Sequence, residues 1–450
     1  MQRTASSTGR FRRPSRQAAC KVRPTKPQQI VDVLQDAQRF PSPVRPIGAN
    51  SGNPRCTLVQ GGTLLDMSGM NQLVQIGQRA VTVQSGMRLR DLVRTLADQG
   101  LELTASFEEP DRSIGGLICS GFLSCDGADD VGGAADCVLG LRVVTPEGKR
   151  LYFDLRKPEI LRKLRGSLGL VGIIYEVTLR LRRIRPYKVR SRRTTIGGLA
   201  GLVPGIADSA GGIKIFLLPF RDRAYIEMRE PCEPKNKSAE LSWRIRDWLG
   251  NKFLPDSVHL LGQIIPIRRL RGPLIDGFSE ATQLLVNTRL TDAGSNAMEQ
   301  TGKFRRIGPT ARTQQCCWFF PAERFGALLY AYREFCLRHY RRDGYRCDLP
   351  AVAYRIAKDS NALLSPSHHG PVFALNLRST NTRGWDDFLM DFAELAGHFQ
   401  GMPVFNQTRC FTRAQADAAY GPRLEKFRLM RRRADPQDRL LNQFFAEFMR

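Results

Sequence analysis

Apolar positions along the first 190 residues follow two alternating patterns, one with the spacing of a helix and one with the spacing of a strand. The helical pattern predicts amphipathic helices that begin near Thr25 and near Leu89. The strand pattern predicts a β-hairpin around Pro146 and further strands before and after it. The predicted strands are Val44–Ile47, Ala80–Ser85, Val138–Thr145, Leu151–Leu155 and Ile173–Leu181.

The rest of the chain contains longer helical patterns and fewer strands. The clearest helix is Ala322–Tyr340, in which large apolar side chains recur every three or four positions. Pro186 lies in a run of basic residues between the two halves, and we place a domain boundary there. The other predicted helices are Leu241–Leu249, Trp385–Phe399 and Arg423–Arg433, and the predicted strands are Ile213–Leu218, Ala224–Met228 and Val372–Leu377.

The composition is that of a folded protein with an excess of positive charge. Hydrophobic residues make up 42% and charged residues 25% of the chain, which excludes a disordered chain, a coiled coil and a collagen-like rod. The 69 Lys and Arg against 43 Asp and Glu give a net charge of +26. Such a surface attracts polyanions, so one hypothesis is an anionic membrane surface or a nucleic acid as partner, and the other is an enzyme with an arginine-rich surface. The arginine runs lack interleaved aromatic residues, so we expect no nucleic acid as a partner.

The amino terminus and the cysteines indicate where the protein functions. Residues 1–20 contain no acidic residue and predict a basic flexible tail, with a mitochondrial presequence as the alternative. The 11 cysteines form no C-x-x-C pair, which favours reduced thiols in the cytoplasm and predicts no metal site.

Three loops of glycine and other small residues occur in the first 172 positions: Gly48–Asn53, Ser113–Gly121 and Leu168–Gly172. Main-chain N–H groups in such loops donate hydrogen bonds to phosphate oxygens, because no side chain stands in the way. None of the loops fits the G-x-G-x-x-G pattern after a strand, and no P-loop pattern occurs. They therefore indicate a phosphate-bearing ligand held outside a Rossmann or P-loop fold.

Residues 21–190 resemble the FAD-binding domain of the vanillyl-alcohol-oxidase class, the PCMH type. The pyrophosphate loop of that class matches Gly48–Gly52, its D-x-T-I-G-G loop matches Asp111–Gly116, and its S-L-G-x-L-G-I-I-x-E-V-T segment matches Ser167–Thr178. Covalent members attach FAD through a His that falls on Ser51, so the resemblance implies non-covalent FAD. The FAD-binding residues that it implies are Gly48, Ala49, Asn50, Ser51, Gly52, Asn53, Asp111, Ser113, Ile114, Gly115, Gly116, Gly121, Gly169, Gly172, Ile173 and Ile174.

The C-terminal half resembles the aldonolactone and alditol oxidase branch of this class. The branch motif S-E-x-R, nine residues and S-P matches Arg355 and Ser365-Pro366, although its Glu falls on Ala353. The Lys of the branch motif H-W-G-K falls on Gln407, or on Arg409 after a shift of two residues. The usual substrate-activating residues are therefore replaced or displaced in this chain.

The resemblance implies transfer of a hydride from a CH–OH group to N5 of FAD. A cation suits the negative charge that develops near N1 and C2=O of the reduced ring, and Arg355 is the first candidate. Arg409, Gln407 and Lys358 are further candidates for the catalytic site. The candidate proton acceptors are Tyr354, His368 and His369.

We therefore expect an α+β protein with a two-subdomain PCMH-type FAD-binding domain and an α/β substrate (cap) domain. The expected division is a basic tail (1–20), the FAD domain (21–187), the cap domain (188–404) and a segment that returns to the FAD domain (405–450). The expected substrate is a sugar lactone, a polyol or a related alcohol, with O2 or another molecule as electron acceptor. The alternatives are an oxidase of a polyprenyl-phosphoryl pentose, and a nucleic-acid or membrane-surface binding protein on this scaffold. The expected location is the cytoplasm, with a peripheral position on the membrane as the alternative.

Overall fold

The computed structural model describes residues 18–105, 107, 111–120, 134–209, 211–233, 238–289, 294–295 and 313–450. These residues form three β-sheets, which are covered by helices. The predicted α+β fold class is therefore confirmed.

The first domain contains two of the sheets. The smaller sheet is parallel, in the order β1-β3-β2, and the larger is antiparallel, in the order β4-β5-β9-β7-β8, with β6 also paired to β9. Its strands are β1 (Cys20–Val22), β2 (Val44–Ile47), β3 (Thr63–Asp66), β4 (Leu73–Ile76), β5 (Ala80–Gln84), β6 (Leu101–Leu103), β7 (Val138–Val144), β8 (Arg150–Asp154) and β9 (Ile173–Arg183). Its helices are α1 (Pro27–Gln35), α2 (Leu89–Ala97), α3 (Ile114–Cys119), α4 (Ala134–Cys137) and α5 (Pro158–Leu164).

The second domain is built on an antiparallel sheet in the order β13-β10-β12-β11-β15-β16-β14-β17. Its strands are β10 (Pro186–Thr194), β11 (Ile213–Leu218), β12 (Arg223–Pro231), β13 (Gly294–Ser295), β14 (Gln314–Pro321), β15 (Ala351–Ile356), β16 (Val372–Ser379) and β17 (Met402–Pro403). Its helices are α6 (Ile196–Ala207), α7 (Ser238–Trp248), α8 (Leu254–Ile264), α9 (Arg268–Arg289), α10 (Ala322–Asp343) and α11 (Trp385–His398).

The last segment of the chain packs against the first domain. It contains α12 (Arg413–Tyr420), α13 (Pro422–Ala434) and α14 (Gln443–Met449). Arg439 Nε donates a hydrogen bond to the carbonyl of Leu34, and the amide of Val44 donates to the carbonyl of Arg439, at 3.2 and 2.8 Å. These contacts support the proposal that residues 405–450 return to the FAD domain.

Two segments differ from the sequence-based prediction. Pro186, placed at a domain boundary with no strand assigned to it, begins the nine-residue strand β10, in which Tyr187 and Val189 are buried while basic residues lie between them and beyond. The run of basic residues obscured this short apolar alternation. Residues 114–119, treated as a loop, form α3, because Ser113 Oγ accepts a hydrogen bond from the Gly116 amide and caps the helix.

The two faces of the eight-stranded sheet have different neighbours. Val352, Tyr354 and Ile356 belong to the same hydrophobic core as the first domain. Ala351 and Ala353 belong to a second core, which includes side chains of α6, α10 and α11. Because side chains of a strand alternate between faces, this pattern assigns each residue of β15 to the FAD-domain side or to the helix side.

Candidate functional site

A cavity lies in the first domain where its two sheets meet. The wall is formed by the end of β2, the first turn of α3, the loop before β9 and the start of β9 itself. Asn406 and Phe445 of the C-terminal segment complete the wall. The volume of this cavity is about 120 Å³, below the roughly 300–1,000 Å³ of typical small-molecule sites, so the cavity as it stands accommodates only part of a large ligand.

Two glycines allow separate segments to approach each other at this wall. A Cβ atom on Gly48 would lie 1.9 Å from Oγ of Ser113, and a Cβ atom on Gly115 would lie 2.8 Å from Cβ of Ser85. Both distances are too short for non-bonded atoms in a packed interior. Glycine is therefore needed at these two positions because neighbouring protein segments pack closely there. The same absence of side chains leaves the main chain exposed to the cavity.

The cavity presents polar groups that lack a protein partner. Ser85 Oγ and Asn406 Oδ1 are buried and accept or donate no hydrogen bond within the described part of the chain. The amides of Ala49, Ser51 and Gly52, in the partly exposed loop that follows Gly48, also donate to no other described residue. Buried polar groups are normally satisfied, so Ser85 Oγ and Asn406 Oδ1 fit a ligand with hydrogen-bonding atoms, and the loop amides are accessible to phosphate oxygens, as FAD has.

Arg45 is a cavity residue that the sequence analysis missed. It is 2% exposed, and its guanidinium donates to the carbonyls of Cys56, Leu168, Gly169 and Leu440 at 2.7 to 3.1 Å. The group also lies 5.0 Å from the ring centroid of Phe445. Burial lowers the pKa of Arg45 to about 10, so the cation at this wall is poorly solvated. The signal was an arginine within the otherwise apolar strand Val44–Ile47.

The predicted FAD-binding residues divide into three groups. Those that line the cavity are Gly48, Ser113, Gly115, Gly116, Gly169, Gly172 and Ile174. Those that do not line it are Ala49, Asn50, Ser51, Gly52, Asn53, Asp111, Ile114 and Ile173. Gly121 lies outside the described residues. Two members of the second group have evident other roles, since Ile114 and Ile173 are core side chains.

The FAD-domain side of the eight-stranded sheet carries a small group of polar side chains. Lys214 of β11 pairs in register with Tyr354 of β15, and its Nζ lies 5.4 Å from the tyrosine ring centroid. Asn376 of β16 pairs with Cys317, and its buried Oδ1 has no partner among the described residues. The main chain connects this group to the cavity, because the Cys317 amide donates to the carbonyl of Gln407, which follows Asn406.

The structure places the four catalytic candidates at different positions. Arg355 lies on the helix side of the sheet, where its Nε donates to the carbonyl of Ala207 at 2.8 Å. Arg409 donates to Gln314 Oε1 at 2.6 Å, and Gln314 shares the face of Cys316, which also belongs to the helix-side core. Lys358 is exposed. Gln407 is the candidate nearest to the cavity wall, since it adjoins Asn406.

The candidate base His368 lies in the loop after β15. Its Nε2 is 3.2 Å from Nη2 of Arg162, and burial together with neighbouring cations lowers its pKa to about 4. Burial has the opposite effect on the pKa of the nearby carboxyl group of Asp359, which it raises to about 6. His368 is therefore neutral at neutral pH, and its lone pair faces an arginine rather than the cavity.

Another group of titratable side chains lies at the end of α10. Nε2 of the buried His339 is 3.3 Å from Asp343 and 3.5 Å from Asp391. Arg342 forms ion pairs with both carboxylates. Arg342 thus compensates one of the two carboxylate charges of this group.

Two family models match the chain. Residues 18–154 match a model described as FAD binding domain, and residues 177–448 match a model described as D-arabinono-1,4-lactone oxidase. The second match covers more than half of the chain. Together they confirm the expected class of protein and the expected kind of cofactor.

Curated relatives match a smaller part of the chain. D-lactate dehydrogenase [cytochrome] of Arabidopsis thaliana mitochondria is 28% identical over 229 residues, which is 48% of this chain and 39% of that protein. L-gulono-1,4-lactone dehydrogenase of Mycobacterium tuberculosis is 26% identical over 207 residues, which is 45% of this chain and 47% of that protein. The chain therefore spans less than half the length of these relatives.

A solved structure with a similar fold is a variant of cholesterol oxidase from Brevibacterium sterolicum. It superposes with a TM-score of 0.74 at 15% sequence identity, over 96% of this chain and 94% of the other. At this identity the similarity shows a shared fold, and it is consistent with the PCMH-type architecture.

Proposed function

Because the chain belongs to the D-arabinono-1,4-lactone oxidase family, we propose that it uses FAD to oxidise a CH–OH group of a sugar lactone, a polyol or a related alcohol. The observation that carries the proposal is the glycine-walled cavity with its unpartnered polar atoms, one of which belongs to Asn406, the neighbour of Gln407, whose carbonyl accepts a hydrogen bond from Cys317 of the second domain. When bound, FAD supplies the acceptor for the hydride. The electron acceptor that reoxidises it is O2 or another molecule.

The residues of the first domain would hold the cofactor and set its electrostatic environment. The loop after β2 offers the amides of Ala49, Ser51 and Gly52 to phosphate oxygens. Ser85 and Asn406 offer buried hydrogen-bonding atoms, and Arg45 supplies a desolvated positive charge at the same wall. A cation in this position stabilises anionic groups of a ligand more strongly than an exposed cation does.

The residues of the second domain would handle the substrate. We assign the proton-accepting role to Tyr354, because its side chain faces the first domain and Lys214 lies over its ring. Lys214 places a positive charge 5.4 Å from the centroid of this ring. Asn376 and Gln407 would orient the substrate hydroxyls, since both are half-buried and adjoin the same strand pair.

We propose that FAD is bound without a covalent bond. The first histidine of the chain is His259, so the FAD domain contains none. Among the described residues, Cys56 and Cys119 line the cavity, and both are poor nucleophiles, because burial raises the pKa of Cys56 to about 12 and that of Cys119 to about 11.

Purified protein is accordingly expected to show flavin absorption bands and to release all its flavin on acid precipitation. The measurement is the absorption spectrum of the supernatant and the fluorescence of the protein band in a denaturing gel. Flavin that remains with the denatured band would contradict the non-covalent assignment. A colourless protein that cannot be reconstituted with FAD would contradict the proposed function itself.

Tyr354→Phe is expected to slow anaerobic bleaching of the flavin by about 100-fold or more, since general-base catalysis typically contributes that much. The bleaching panel contains sugar lactones, polyols and phospho-sugars, which also separates the substrate classes. The matched variant is Arg355→Ala, whose side chain lies on the helix side of the sheet, and it is expected to bleach at nearly the parental rate. The opposite result, slow bleaching by Arg355→Ala and normal bleaching by Tyr354→Phe, would return the catalytic role to Arg355.

A further inference from the structure

Exposed apolar side chains are concentrated at one place on the second domain. Of the nine large hydrophobic residues in the described chain that are at least half exposed, five lie between Leu260 and Leu274. Their exposed fractions run from 53% to 65%, with Ile264 the most exposed. The five residues are Leu260, Ile264, Ile267, Leu270 and Leu274. Several large apolar side chains exposed within one short stretch of the chain mark a candidate interaction surface.

The patch is the outer face of a helical hairpin. Leu260 and Ile264 lie one turn apart on α8, Leu270 and Leu274 lie one turn apart on α9, and Ile267 lies in the turn between the two helices. The inner face is separate, because Leu254, Val258 and Ile275 pack together with Leu349 in a small core. The hairpin therefore has enough apolar residues to close its inner side, and the outer ones remain in excess.

The charged residues at the hairpin turn are all positive. Between Asp256 and Asp276 the sequence contains no acidic residue, whereas it contains Arg268, Arg269 and Arg271. Arg269 is exposed beside Leu270, and Arg271 donates a hydrogen bond to the carbonyl of Gly262, which ties the two helices together. Aliphatic side chains interleaved with arginines on a surface helix are typical of segments that lie in the headgroup region of a membrane.

We propose that the turn between α8 and α9 docks on the surface of an anionic lipid bilayer, with Ile264, Ile267 and Leu270 inserted among the headgroups. The run of basic residues at this turn would be attracted to lipid phosphates, because a polybasic segment is drawn to an anionic surface. No described helix combines the length and the apolar character needed to cross a bilayer, so the expected mode is binding in the plane of the interface. This inference goes beyond the proposed oxidation and is independent of it.

The test is binding of the whole protein to vesicles of phosphatidylcholine with phosphatidylglycerol, and to vesicles of phosphatidylcholine alone. We expect binding to the anionic vesicles, and a loss of roughly tenfold or more in Ile264→Glu/Ile267→Glu, because two inserted side chains are replaced by charges. The matched control is Val74→Glu/Leu429→Glu, two residues that are each 50% exposed elsewhere on the surface, and it should bind like the parent. Flavin content and melting temperature show that all the variants remain folded.

A second pair of variants isolates the electrostatic part. Arg268→Gln/Arg269→Gln should weaken binding and reduce its salt dependence, whereas Arg432→Gln/Arg433→Gln, an exposed pair on α13, should not. Equal losses in both pairs would overturn the proposal in favour of attraction by the overall charge. Absence of vesicle binding would also overturn it, as would a dimer in sedimentation velocity that Ile264→Glu/Ile267→Glu dissociates, since the hairpin would then dock on a second copy of the chain.

Discussion

Gly48→Ala is expected to yield protein that carries almost no flavin. The new Cβ atom would lie 1.9 Å from Ser113 Oγ and 2.8 Å from Ser113 Cβ, so the loop after β2 and the start of α3 must separate. Such overpacking costs about 1–3 kcal/mol, and here it moves two segments of the cavity wall relative to each other. The measurements are the ratio of flavin to protein absorbance after purification and the melting temperature with and without added FAD.

The matched control for this variant is Gly201→Ala, on an exposed part of α6 where a Cβ atom would meet nothing within 4 Å. That variant should keep its flavin and its stability, because alanine favours the helical conformation. Gly48→Ala/Ser113→Gly removes the atom that the new methyl group meets, and it should recover part of the lost stability. Normal flavin content in Gly48→Ala would show that the loop after β2 does not form the cofactor site.

Arg45→Met is expected to lower the free energy of unfolding by about 3 kcal/mol or more, because four carbonyl oxygens lose the guanidinium as a donor and only that of Cys56 keeps another, Asn442 Nδ2. These carbonyls belong to Cys56, Leu168, Gly169 and Leu440, so one side chain joins three separate segments at the cavity wall. Flavin affinity should fall together with stability, since the cation and the positions of these segments are lost at once. The measurements are urea unfolding followed by circular dichroism, and FAD titration of the apoprotein.

Arg45→Lys separates charge from geometry. A lysine keeps the positive charge but cannot reproduce the planar set of donors, so we expect an intermediate loss of stability. The control is Arg39→Met, since Arg39 is exposed and lies 5.1 Å from the ring centroid of Phe40, and its change should stay within about 0.5 kcal/mol. Equal stability of Arg45→Met and the parent would mean that the four carbonyls find water as a substitute.

Tyr354 and Arg355 are adjacent in β15, and the sequence did not predict which of the two faces the FAD domain. Alternation along β15 requires that adjacent side chains point to opposite faces, and the sequence of the strand already contains this information. Which face meets the FAD domain depends on how the sheet packs. Both faces of β15 carry apolar residues that are buried in a core, so the strand's own sequence does not distinguish them. A motif match selected Arg355, whereas the packed sheet turns Tyr354 toward the first domain.

The cavity wall illustrates the same limit at longer range. Gly48 and Ser113 are 65 positions apart, and Asn406 and Phe445 join the wall from the other end of the chain. No local pattern relates these positions. Arg45 likewise has its four acceptors in three distant segments, so its role becomes visible only in the folded chain.

The sequence by itself determined the class of fold, the three small-residue loops and the family, because periodicity and motifs are local properties of the chain. The tertiary structure alone decided which of those loop residues face the cavity, which side of the sheet carries the substrate-handling candidates, and that the hairpin of α8 and α9 leaves apolar side chains in solvent. These outcomes depend on which surfaces meet after folding, and the free energy of that packing is a sum over contacts between residues far apart in sequence.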